Sequence, residues 1–93
     1  MFMTFDEIIE DLMLYRLDMK AISSLRKISE SEIIELHKIT STSICVEYDL
    51  WNIDNPLTLK NYVPQLEHGI DVNPKHPESM SYKIIHSIWK RIK

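Results

Sequence analysis

The stretch SESEIIELHKITSTSICVEYDLW, residues 29–51, decides the fold. Ser29 with Glu32 is a capping-box spacing, and neither proline nor glycine interrupts the chain from there to Trp51, so the pattern predicts a helix over about Glu30–Leu50. At 100° per residue, Ile33, Leu36, His37, Thr40, Ile44, Tyr48 and Trp51 fall on one side, widened by Ile34 and Cys45. Ile39, Val46 and Leu50 fall on the opposite side. A helix apolar on two sides is normally sandwiched between neighbours, which makes this the expected central helix. The run Thr40-Ser41-Thr42-Ser43 is a weak helix former, but its small side chains would let another helix come close.

Working outward, Thr4 and Glu7 repeat the capping-box spacing and predict a first helix from about Phe5 to Met19. Its apolar arc is Phe5, Ile8, Ile9, Leu12, Tyr15 and Met19, and its opposite arc is acidic. A short second helix is expected over Lys20–Lys27. On the other side of the central helix, Asn55-Pro56 reads as a helix start running to about Tyr62. Residues 64–77, with three prolines and the chain's one glycine, read as a Pro-rich surface loop. Pro77 opens a last helix over about Glu78–Ile92, where His76 caps, Trp89 closes an apolar arc, and Lys83, His86, Lys90 and Lys93 form a basic stripe. The expectation is an all-α single domain, residues 1–93, with four or five helices packed around the helix at about 30–50.

The 93 residues are 44% hydrophobic and 27% charged, an ordinary globular balance. One glycine excludes glycine-rich phosphate loops, which need several. Eleven basic against 14 acidic residues give a net charge of −3, which argues against direct nucleic-acid binding. Residues 1–50 hold ten Asp/Glu and five Lys/Arg, net −5, whereas residues 51–93 hold four and six, net +2. Such a dipolar surface bears on partner choice and association rate. The lone Cys45, the absence of a basic segment before the early acids, and the absence of any apolar run near the ~20 residues of a membrane span point to a cytoplasmic location.

Candidate chemistry is sparse. His37 and Cys45 on one helix would stand about 12 Å apart, too far for a thiol–imidazole dyad. His37 is better read as a core histidine with one polar partner, and Cys45 as a small buried hydrophobe. His68, His76 and His86, with Glu67, Asp71 or Glu78 near them, match no compact metal-ligand spacing. His86 reads as part of a solvated face, and Trp51, like Trp89, as a core aromatic. No enzyme activity, metal or cofactor is expected.

The motifs Glu35-Leu36-His37, Tyr48-Asp49-Leu50-Trp51-Asn52, Asn55-Pro56-Leu57, His76-Pro77-Glu78-Ser79-Met80-Ser81 and Ile88-Trp89-Lys90 come in an order that resembles a family of small uncharacterised bacterial and phage domains. The resemblance covers about residues 28–93. It implies a helical domain with the His76-Pro77 helix start as a structural signature, and it transfers no activity, since none is established for the family.

What remains is surface for binding. Asp6, Glu7, Glu10, Asp11 and Asp18 make an acidic face on the first helix, and Leu14 lies among them as a candidate anchor. Tyr62 and His68, at and beyond the short helix, are further candidate contacts. The expected partner is another protein with a basic surface, bound by an inhibitor, an immunity protein or a phage-encoded modulator. A nucleic-acid mimic that competes for a DNA-binding protein is the alternative, and a metal-dependent enzyme using the three histidines is a third. A homodimer joining the acidic first helix to the basic last helix is a fourth.

Overall fold

In a computed structural model that describes residues 2–93, both capping boxes form. The Thr4 hydroxyl accepts from the Glu7 amide while the Glu7 carboxylate accepts from the Thr4 amide, opening α1, Phe5–Asp11. Ser29 and Glu32 do the same for the helix they begin. The first helix does not run on to Met19. After Asp11 it widens into a π-helical segment, Leu12–Arg16, in which the Leu17 amide reaches back five residues to the Leu12 carbonyl. Leu17 and Asp18 are extended, and the Asp18 carboxylate caps α2, Met19–Lys27, by accepting from the Ala21 amide at 2.7 Å. The wider turn breaks the 100° rhythm, so Tyr15 and Met19, placed on the core arc by periodicity, are exposed.

The helix read at 30–50 is α3, Glu30–Glu47, and it stops three residues early. Asp49 takes a left-handed backbone (φ 57°), the Leu50 amide bonds back to the Cys45 carbonyl, and the Asp49 amide bonds to Val46. This is a Schellman end, a role usually filled by glycine. It drops Leu50 into the core and turns Trp51 out, so that Trp51 is 54% exposed rather than a core aromatic. Beyond the expected face of Ile33, Ile44 and Cys45, the second apolar side is not covered: Ile39 is 79% exposed and Val46 is also in solvent. The expectation of a sandwiched central helix is corrected.

The helix at the centre is the last one, α4, Pro77–Ile92, against which α1, α2 and α3 all pack. His76 Nδ1 accepts from the Glu78 amide at 3.2 Å and Pro77 takes the first turn, the local geometry their order predicts. From α4, Met80, Ile84, Ile85, Ile88 and Trp89 meet Ile8, Ile9, Ile33, Ile44 and Leu50 in one core. Trp89 Nε1 donates to the Ile28 carbonyl at 3.1 Å, fastening the turn between α2 and α3. Three helices laid over one give a flat molecule of 38 × 34 × 18 Å, about two helix layers thick.

The expected short helix after Asn55-Pro56 does not form; residues 56–61 are successive turns. Asn55 is buried and turns back on α3, donating to the Tyr48 and Asp49 carbonyls while its own oxygen accepts from the Leu57 amide. Thr58, also buried, donates to the Leu50 carbonyl at 2.6 Å. The Pro-rich segment likewise contains order. Strands β1, Leu66–Glu67, and β2, Ile70–Asp71, pair antiparallel around His68 and Gly69, whose positive φ angles (51° and 80°) give the turn that suits a two-residue hairpin. Among the described residues the chain is thus helical with one small hairpin, and no helix is long and apolar enough to cross a membrane.

Candidate functional site

The carboxylates of the first helix are largely engaged within the molecule. Glu7 closes the capping box, and its hydrogen bonds with Thr4 hold its pKa below the ordinary glutamate value. Asp11 accepts from the Tyr48 hydroxyl at 2.7 Å and from Arg16 Nε at 3.4 Å, and Arg16 also pairs with Glu47. That cluster ties the π-helical segment to the end of α3, and burial together with Asp11 pushes the Tyr48 phenol well above its usual range. Asp6 lies 3.7 Å from Arg91, and Asp18 is the α2 cap. Glu10 and Leu14 are exposed and have no such engagement among the described residues.

Tyr62 and His68 are placed by the hairpin. Asp71 accepts from the Tyr62 hydroxyl and from the Gln65 and Asn73 amides, bonds that hold its carboxyl below the usual range. Partial burial and the facing carboxylate push the Tyr62 phenol up to about 12, so at neutral pH it is a proton donor that locks the loop rather than a nucleophile. His68 sits exposed in the hairpin turn. His76 caps α4 and meets the Trp51 ring nearly at right angles, and His86 stacks on Tyr82 and lies tilted against Trp89, half-buried where a solvated face was expected. The three histidines therefore stand on separate features, and among the described residues no three His, Cys, Asp or Glu side chains gather as a ligand set.

Among the described residues no hydrogen bond joins His37 to Cys45. His37 Nε2 lies 2.6 Å from Ser81 Oγ, whose hydroxyl also reaches the Glu78 carbonyl, and the ring meets Tyr82 edge-on. The Cys45 thiol faces the Pro77 carbonyl, and burial pushes its pKa up, away from the reactive thiolate. Burial lowers the pKa of His37 in the fold. Because the folded pKa is the lower one, the stability of the neutral ring is complete above the unfolded value of about 6.5 and is lost as pH falls through the folded value. Urea unfolding midpoints should accordingly decline between about pH 7.5 and about pH 5, and more shallowly for His37→Gln. Equal slopes for the two proteins would contradict this account of His37.

The concave feature that sequence reading missed lies between α2 and α3. The two helices are joined by only Ile28 and Ser29, yet both rest on α4 rather than on each other. Between them opens an apolar basin of about 670 Å³. Leu17, Ala21 and Leu25 form one wall, and Leu36, Ile39 and Ser43 the other. Ile44, Ile85 and Ile88 make the floor. The turn at Ile28 closes one end, and Leu12 lines the space from the π-helical segment. Thr40 and Ser43, the small residues that invited a close neighbour, line this space, and Thr40 directs its hydroxyl back to the Leu36 carbonyl. The volume falls within the range of ligand and anchor pockets.

No family model matches the chain, and no curated protein or solved structure matches it either.

Proposed function

We propose that the chain works by binding another protein in the cytoplasm, as an inhibitor, an immunity protein or a phage-encoded modulator, with no catalysis of its own. The observation that carries the reading is the apolar basin between α2 and α3, a water-exposed concavity on an otherwise small core. It is a better docking surface than the acidic face of the first helix, because Asp11 and Asp18 already serve intramolecular hydrogen bonds. The resemblance of residues 28–93 to small bacterial and phage domains belongs to the same proposal. So does a reducing compartment, in which a lone buried thiol such as Cys45 needs no pairing.

Affinity capture from the source cell tests it, with the wild-type chain and an Ile39→Asp variant side by side. Ile39 is exposed on the basin wall, so a carboxylate there should leave the fold intact while spoiling the concavity. A partner retained by the wild type and lost by the variant is the expected result. If the two retain the same proteins, the basin is not the docking surface. If neither retains a stable partner at low or physiological salt, the protein-binding reading falls.

A further inference from the structure

The two helices that wall the basin carry opposite charge on their flanks. On α2, Lys20, Ser24 and Lys27 are spaced i, i+4, i+7 and so form one stripe along the helix, and Ser24 lines the basin. Lys20 and Lys27 therefore stand on the same edge, about two turns or roughly 10 Å apart. Both are exposed, and neither takes part in an ion pair among the described residues. The helix contains Arg26 as a third cation and no acidic residue, in a chain whose net charge is −3. On the α3 side, Glu32 and Glu35 line the basin: Glu35 pairs with Lys38 at 3.1 Å, while Glu32 accepts from the Ser29 amide and keeps its negative charge. The flank along α2 is thus positive and the flank along α3 negative.

The shape narrows the occupant further. Both walls are helices, and small side chains, Ala21 and Ser24 on one and Thr40 and Ser43 on the other, face the gap. Small residues at such positions permit close approach of another helix, and a helix lying over the mouth would complete the upper layer above α4. From these observations we infer that the basin receives an amphipathic helix of the partner protein, apolar face down between α2 and α3, with carboxylates along the flank that meets Lys20 and Lys27. The inference rests on the protein-binding reading above and specifies the chemistry of the partner. It differs from the basic partner expected from the acidic first helix, since the flank of the docking segment that meets α2 is acidic.

A displayed library of helical peptides, selected on the full chain and counter-selected on the Ile39→Asp variant, tests this directly. The enriched peptides should share apolar residues at i, i+3 or i+4, and i+7, with Asp or Glu about two turns apart on one flank. The best of them should bind the Lys20→Glu/Lys27→Glu variant about tenfold more weakly, and should lose affinity as salt is raised. The milder Lys20→Gln/Lys27→Gln variant, with helicity checked by circular dichroism, should show a smaller loss in the same direction. Enrichment of peptides with Lys or Arg on both flanks would overturn the inference, as would affinity indifferent to both double variants or no enrichment over the counter-selection. A wild-type chain that is dimeric by light scattering and becomes monomeric on Ile39→Asp would also overturn it, because a second copy would then cover the basin. These outcomes remove the acidic-helix inference alone, whereas capture that yields no partner removes the protein-binding reading with it.

Discussion

Replacing Ile84 by alanine should destabilise the protein by about 3–4 kcal/mol, the upper part of the range for a large buried aliphatic residue. Ile84 is fully buried on α4, the helix against which the other three pack, so no neighbour can move in to fill the space without giving up its own contacts. In a domain whose whole stability is of the order of 5–10 kcal/mol, that loss would lower the melting temperature by roughly 15–25 °C. Urea unfolding should show a lower midpoint with an unchanged slope. Ile39→Ala is the internal control: the same chemical change on an exposed basin wall should stay within about 0.5 kcal/mol. A cost for Ile84→Ala below about 1 kcal/mol would mean that α4 is not the centre of the core.

The second large effect is expected at a polar residue. Asn55→Ala should cost about 2–3 kcal/mol, because it strips donors from the Tyr48 and Asp49 carbonyls and an acceptor from the Leu57 amide, all near a buried side chain. Asn55→Asp should be no better. It keeps the acceptor but sets a carboxylate against two carbonyl oxygens. Amide exchange should locate the damage: Leu57 should lose protection, while the Ile33 and Ile84 amides, inside α3 and α4, should change only as far as global stability falls. Uniform loss of protection would show that the Asn55 bonds support the whole molecule rather than the end of α3.

What the sequence disclosed and what it hid separate along a physical line. The starts of α1, α3 and α4 were legible because capping is local: Thr4 with Glu7, Ser29 with Glu32, and His76 with Pro77 each complete their bonds within three residues. The ends were not. A π-helical turn at Leu12–Arg16 changes hydrogen-bond register without changing composition, and the stop of α3 depends on Asp49 adopting a conformation that the chain around it imposes. Asn55-Pro56 has the composition of a helix start, but its side chain found better use on the Tyr48 and Asp49 carbonyls. Strands of two residues are too short to show alternation, so the hairpin at His68-Gly69 passed as loop. The basin left a trace that was visible but misread. Ile39, on the second apolar side of α3, together with the small residues Thr40 and Ser43, described a helix that wants a neighbour, and among the described residues none is supplied there.

The π-helical segment also acts as a one-residue spacer in the chain. A regular helix through Leu12–Arg16 would use one residue fewer to cover the same turn, so everything after it would arrive about 100° out of phase. The extra residue lets Ile8 and Ile9 face the core while Leu17, past the turn, faces the basin. Two apolar surfaces with different duties are thereby served by one continuous piece of backbone. The tolerance of this part of the gene to small insertions and deletions is correspondingly narrow: a single lost codon would keep the helix and misdirect its side chains.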